Sequence, residues 1–321
     1  MPLVRLLARH QIDRDAYDRC IARSPHRLIY AFSWYLDAVS PGWEVLVEGN
    51  YERVMPLPIR WRYGVKAVIQ PLFCHQLGVF ATSESPDSTV LIRFLRALHR
   101  HVRYIPSYPF QAANQLDQIA DLVRLVPMTN HVLDLQKPYA ELAANYSKGQ
   151  KWNLKHGLRQ TWDFTETDDI VPLIDLFRQH NTAGIGRVAP DAYEKLQRLV
   201  GVLQSRRQVR IRVARQNGRI EAGCLLVTDV NRVIHLFCSA SPAGRKGNAR
   251  TVILDQFIRD YAGRPLWFDF ESPEVETLAA FNRGFGAQSE PYFRLVSNQL
   301  PGPVRYIHEL KKWLHRRLLP R

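Results

Sequence analysis

The sequence predicts an α+β (mixed α/β) chain of two subdomains in tandem, each a twisted, mixed, largely antiparallel sheet flanked by helices. Three observations predict it. At 321 residues the chain exceeds the length at which one hydrophobic core usually stops growing. Its apolar spacing alternates between the period of strands and that of helices, and the order of the segments runs through twice. A hydrophobic fraction of 46% with 11% aromatics is that of a globular chain and excludes disorder.

The first copy opens with a strand over Leu3–Ala8 and a helical region from Arg14 to Val39. Strands follow at Trp43–Gly49, Glu52–Arg62 and Val65–Ala81. Pro86–Val102 reads as a helix because Leu91, Phe94, Leu95 and Leu98 fall on one face. The strands RYIPSYPF and NHVLDLQ close the copy, which sets the domains at 1–136 and 137–321.

From Gln136 the pattern turns helical in two pieces. Pro138 suits a first helical position, and Ser147 with Gln150 spells a capping box, so a second helix should begin at Lys148. A strand at Thr161–Thr165, helices at Ile170–Asn181 and Pro190–Leu203, and strands at Gln208–Gln216, Arg219–Asp229 and Arg232–Ser239 repeat the earlier order. The gap Thr182–Tyr193 fits a mobile loop near a site and a plain helix connection equally well. Next come the loop SPAGRKGNA, a helix Arg250–Ala262, the strand PLWFDFES, a helix Glu274–Phe285, and strands at PYFRLVSN and VRYIHEL.

Charge narrows the partners. Of 44 basic residues 35 are Arg, against 30 acidic, a net charge of +14. A guanidinium pairs bidentately with phosphate, although a GC-rich genome would enrich Arg in the same way. Nucleic acid, an anionic lipid surface and a phosphorylated cofactor all suit such a surplus. On the helix from Lys148, the cations Lys148, Lys151, Lys155 and Arg159 share a narrow arc, with Trp152 and His156 adjacent. That face fits the phosphates of a cofactor or a nucleic-acid backbone, with Trp152 as a stacking plane, or simply water. The loop from Ala240 to Ala249 lets backbone approach an anion through Gly244, Gly247 and Ala249, with Arg245, Lys246 and Asn248 between them; it reads equally as a surface turn.

The remaining sequence signals are exclusions. Cys20, Cys74, Cys224 and Cys238 have no CxxC spacing, so neither disulfides nor a metal are implied. No apolar run approaches the roughly 18 residues of a membrane span, and the N-terminus lacks a secretory cleavage pattern, which predicts a cytoplasmic protein. The segment RYIHELKKWLHRRLLPR reads as a basic amphipathic helix, which either docks on the body or rests through Lys311 to Arg321 on an anionic membrane at the inner face.

The order of strand, Gly-rich loop, helix, strand, helix ending in AAFNRGFGA, and strand resembles the acyl-CoA-binding half of the GNAT N-acyltransferase fold. Two such units in tandem, with YSK-x-x-K-x-NLK at the junction and FDFES before FNRGFGA, resemble the FemABX-like group, whose best understood members attach amino acids from aminoacyl-tRNA to peptidoglycan precursors. The resemblance implies an acyl-CoA donor such as acetyl-CoA, bound at Gly244 to Ala249. It also implies an amine acceptor, on a small molecule or an envelope precursor. Where that loop usually has Gln or Arg, this chain has Gly244.

On the same resemblance Glu271 lies where the sheet splays apart and could serve as general base, or cap the helix that follows. Asp269 shares its strand face. Related enzymes often place a Tyr acid four residues before the glycine that ends the next helix, and here that position is Asn282, an amide that cannot release a proton. His75 and Gln76, in QPLFCHQLG, resemble the segment facing the acceptor. No helical arm of the peptidoglycan type is present, which weakens a tRNA contact. No Ser or Cys has triad context, so direct transfer is expected. Aminoacyl-tRNA as donor, and a binding module without chemistry, remain the alternatives.

Overall fold

The computed structural model describes residues 3–62, 64–180, 191–272 and 275–306. The gap segment Thr182–Tyr193 for the most part, and the basic amphipathic segment with Lys311 to Arg321, lie outside the described residues. The chain divides into two compact units, Met1–Pro127 with Tyr292–Arg321, and Met128–Pro291. The division thus falls after Pro127, not after Gln136, and the last described strand counts with the first unit.

In the first unit, strands β1 (Val4–Leu7), β2 (Glu44–Glu48), β3 (Arg53–Leu57) and β6 (Phe80–Ala81) form an antiparallel sheet in that order. Strands β4 (Ile59–Arg62), β5 (Val65–Ile69), β7 (Tyr104–Pro109) and the later part of β14 (Gln288–Asn298) pair in that order, with β5 and β7 parallel. The expected strand Glu52–Arg62 therefore breaks in two. Pro58 stands at the break, and with no N–H it cannot continue a ladder. Val65–Ala81 also breaks, and His75 and Gln76 lie in the connection between β5 and β6.

Helix α3 (Ser88–His101) starts at Asp87, whose carboxylate accepts from Val90 N–H at 2.8 Å. It buries Leu91, Phe94, Leu95 and Leu98 and supplies Arg93, which clamps the fully buried Glu48 of β2. Arg53 gives Glu48 a second cation at 3.2 Å, as a buried carboxylate requires. Helices α1 (Arg14–Arg23) and α2 (Ser33–Val39) share the expected helical region. The strand expected at VRYIHEL is absent in its described part, since residues 302–306 are helical.

The second unit is a sheet in the order β8 (Leu125–Asp134), β13 (Trp267–Asp269), β12 (Arg232–Ala240), β11 (Arg219–Thr228), β10 (Val209–Gln216), β9 (Asp163–Glu166). Only β12 and β13 run parallel within it. Helix α9 (Ala249–Tyr261) is buried almost all round and forms the centre of the core through Ile253, Leu254, Phe257 and Ile258. Against it lie α4 (Tyr139–Ala144) and α5 (Lys148–Gly157), tied down where the hydroxyls of Tyr139 and Tyr146 donate to Asp255 at 2.8 and 3.1 Å. Burial holds the Asp255 carboxyl above its usual range, although both hydroxyls pull the other way. Helices α6 (Val171–His180) and α7 (Asp191–Ser205) complete the unit.

Half of the expected capping box is present. Ser147 Oγ accepts from Gln150 N–H at 3.1 Å, but Ser147 N–H donates to Gly284 carbonyl at 2.9 Å, and Gln150 Nε2 is buried without a partner. Two helical glycines separate packing from propensity. A Cβ at Gly157 would lie 2.6 Å from Val252 Cγ2, whereas one at Gly201 meets nothing within 4 Å. Gly157→Ala should lose about 1–3 kcal/mol by overpacking the α5–α9 crossing, and Gly201→Ala should gain about 0.4–1 kcal/mol through the unfolded chain; urea midpoints at equal slope measure both.

Candidate functional site

The second unit's parallel pair comes apart. Strands β12 and β13 match residue for residue from Arg232↔Trp267 to Ile234↔Asp269. Then β13 ends, while β12 runs on to Ala240 with β11 alone beside it. A cavity of about 210 Å³ opens at the parting, lined by His235 to Cys238 of β12, Phe270 and Glu271 beyond β13, Arg250 of α9, and Phe281 and Asn282 of α10 (Glu276–Arg283). Glu271 and Asn282 therefore share one cleft.

A chain of hydrogen bonds holds the parting open. Asp269 is buried, and Arg232 Nη1 donates to its Oδ2 at 2.6 Å. Its Oδ1 accepts from Asn130 Nδ2 at 2.8 Å and from Glu271 N–H at 2.9 Å. With both oxygens engaged, Asp269 orders the strand end. Asn130 Oδ1 accepts from Ser272 N–H at 2.9 Å, and Asn282 Nδ2 donates to Ser272 Oγ at 2.8 Å. Asn282 thus anchors α10 to the strand end, a role an amide fills and a proton donor would not need. Glu271 takes φ of +43°, which turns its side chain out of the strand's alternation and into the cleft, a strain of the kind that gathers at functional sites.

The anion loop has a different local structure from the expected one. Residues Pro242–Lys246 form a short helix, α8, capped by Ser241 Oγ accepting from Gly244 N–H at 3.0 Å. Its glycines serve packing. A Cβ at Gly244 would lie 2.0 Å from the Glu221 carbonyl oxygen, and one at Gly247 2.3 Å from the Trp162 ring, whose Nε1 donates to Gly247 O at 3.2 Å. Asn248 then takes φ of +53° to turn the chain into α9, whose N-terminus has no side-chain cap. Arg245 is committed to the His180 carbonyl at 2.7 Å, Lys246 is exposed, and Ala249 is buried in the core.

The basic helix is α5, and it reaches this turn. His156 shares a hydrogen bond of 3.1 Å with Asn248 and stacks on Trp152, with ring centroids 5.2 Å apart and planes 6° from parallel. Trp152 is 63% exposed. Lys151 donates to the Ala144 carbonyl at 2.6 Å, while Lys148, Lys155 and Arg159 have no carboxylate partner among the described residues. Lys151, Lys155 and Arg159 also border a cavity of about 410 Å³ with Tyr146, Leu154 and Leu158. His75 and Gln76 belong to the first unit, where His75 meets the Tyr292 hydroxyl at 3.3 Å and Gln76 is buried.

Sequence reasoning missed His235, Cys238 and Arg250. Residues three apart on a regular strand face opposite ways, so His235 and Cys238 do not read as a pair. A bulge supplies the missing step. Leu225 pairs with Phe237 but Leu226 with His235, so Leu236 is an extra residue and both side chains emerge on the face shared by Cys224 and Leu226. Arg250 Nη1 reaches Cys238 Sγ at 3.8 Å. Burial pushes the Cys238 thiol up, but His235 and Arg250 outweigh it and bring its pKa down to about 6. Cys224, beneath it, is pushed well up by burial and by the neighbouring sulfur. Among the described residues no cluster of His, Cys, Asp and Glu could hold a metal ion, and no helix is long and apolar enough to cross a membrane.

Arg232 stands at the root of the parting, its second nitrogen donating to Glu290 Oε1 at 2.6 Å. Replacing it leaves two carboxylates without their cation, one of them buried. Arg232→Met should cost about 3–5 kcal/mol of stability at neutral pH, measured by denaturant unfolding.

The model of the Acetyltransferase (GNAT) domain family matches residues 141–289. No curated protein matches the sequence. Among solved structures, FemX superposes with a TM-score of 0.62 at 10% identity, covering 90% of this chain and 97% of that one. The C-terminal domain of a putative lysylphosphatidylglycerol synthetase from Agrobacterium fabrum gives 0.54 at 13%, covering 92% and 94%. A tandem GNAT protein from the clavulanic acid biosynthesis pathway gives 0.54 at 11%, covering 93% and 99%. Residues 141–289 thus match the GNAT acetyltransferase domain model, and the chain as a whole has the fold of tandem GNAT proteins.

Proposed function

We propose that the second unit transfers an acyl group from acyl-CoA, with acetyl-CoA as the simplest donor, to an amine on a small molecule or an envelope precursor. The observation that carries this reading is the parting of β12 from β13 with a carboxylate, Glu271, turned into it. A thioester carbonyl laid along the free edge of β12 would meet strand N–H groups, which stabilise the oxyanion of a tetrahedral intermediate. Held beside it, the amine attacks as an effectively intramolecular partner, and Glu271 takes its proton. The uncapped start of α9 and the exposed Lys246 offer donors to the phosphates of CoA.

Aminoacyl-tRNA is the second reading for the donor, and α5 favours it. The exposed Trp152 on His156, with Lys148, Lys155 and Arg159 unpaired, is a stacking plane set among cations.

Thermal and denaturant unfolding against acetyl-CoA, CoA and ADP separates the readings. A donor at about a hundred times its dissociation constant adds roughly 2.7 kcal/mol of stability, and Lys246→Glu should weaken that saturable gain. No gain from any of the three into the millimolar range would remove acyl-CoA as donor. Glu271→Gln should lower kcat/KM by about 10²–10⁴-fold and leave the acetyl-CoA stabilisation unchanged. If the acceptor end of a tRNA binds α5 through four phosphates, log affinity should fall with log salt at a slope of about −2.8; a slope near zero would discard that contact.

A further inference from the structure

The cleft holds a second reactive group that direct transfer does not need. Cys238 opens into the same cavity as Glu271, with the Arg250 guanidinium 3.8 Å from its sulfur and the His235 imidazole on the same face of β12 in the cavity wall. His235 Nε2 is buried with no partner of its own. A sulfur between an imidazole and a guanidinium, partly open to a cavity, is the setting in which cysteines react as thiolates. Cys20 and Cys74 are buried elsewhere, and Cys224 is buried beneath Cys238, opposite it on β11; burial pushes Cys20 up to about 12. Packing alone does not explain the cluster, because a purely structural cysteine is inert in apolar surroundings and gains nothing from two basic neighbours.

We propose that Cys238 is a covalent way-station for the acyl group, which passes from the donor thioester to Cys238 Sγ and from there to the acceptor amine. This inference rests on the acyl-thioester donor proposed above. In the first half, the Cys238 thiolate adds to the thioester carbonyl. A bond forms between Sγ and the acyl carbon, the bond to the CoA sulfur breaks, and its electron pair leaves with CoA as thiolate. One thioester replaces another, so neither oxidant nor energy source is required. In the second half the neutral amine nitrogen adds to the acyl-cysteine, Sγ leaves as the thiolate it was, and the proton shed by nitrogen passes to the Glu271 carboxylate and then to water. Arg250 and His235 stabilise the thiolate at both ends of the cycle. CoA can therefore depart before the acceptor arrives.

The experiment incubates the full chain with acetyl-CoA and no acceptor, following intact mass, CoA release and unfolding together. The expected result is one acetyl group per chain, labile to hydroxylamine and mapped to Cys238, with a stoichiometric burst of CoA. Cys238→Ala should lose both signals while keeping the acetyl-CoA stabilisation of the fold, which shows that the variant folds and binds. Stabilisation of the wild type without an adduct or burst overturns the way-station and leaves acyl transfer standing. Absence of stabilisation removes the donor and the way-station together. Alkylation by iodoacetamide reads the cluster without any donor. The rate at Cys238 should rise through an apparent pKa of about 6 and shift upward in Arg250→Met, whereas a midpoint near the ordinary thiol value of about 8.5 in the wild type would overturn the proposal.

Discussion

The second unit depends on one buried ion pair. Arg232 stands at the first rung of the β12–β13 ladder and Asp269 at the last, before the strands separate, and the carboxylate hands its other oxygen to Asn130 and to the backbone of Glu271. A parallel pair of strands gains from continuing to pair, so a parting must be held by something stronger than a missing ladder bond. A charge-assisted bond onto a buried carboxylate supplies it. From that bond follow the cavity, the left-handed Glu271 and the attachment of α10 through Ser272 and Asn282. The cleft is an absence of pairing, stabilised from its root.

On the other side of the cleft the device is geometric. Leu236 is a single extra residue in β12, and it changes which side chains share a face. With the bulge, the strand presents His235 and Cys238 together above Arg250; without it, one of the two would point toward α6. Bulges commonly re-aim side chains beside sites. Here the re-aiming places a sulfur, an imidazole and a guanidinium within one cavity wall.

How far the sequence showed all this depends on the range of the interaction. Periodicity and capping are local, so α3 was legible from its apolar face and α5 from Ser147, as was the strand running into Glu271. The two-unit α+β order was legible too. Glu52–Arg62 read as one strand; its break at Pro58 and the sheets its halves join are decided by pairing partners remote in sequence. The glycines of SPAGRKGNA looked like room for a ligand. Their neighbours, the Glu221 carbonyl and the Trp162 ring, come from other elements, and only tertiary contact shows that the room is taken. The Cys238 cluster was hidden for a related reason, since a bulge leaves no mark in composition or spacing.

Strand β14 carries a consequence for how the chain assembles. Its residues from 294 onward pair with β7, while the whole of the second unit lies between them in sequence. During synthesis the ribosome releases a first unit that lacks one strand, and that unit waits with β7 incompletely covered while residues 128–291 emerge. Contacts of such sequence separation form late and slowly. An exposed strand edge in the interval is a pairing site for other chains. The nascent protein is therefore most vulnerable to aggregation, and most in need of a holding chaperone, after most of its first unit has folded and before β14 has left the tunnel.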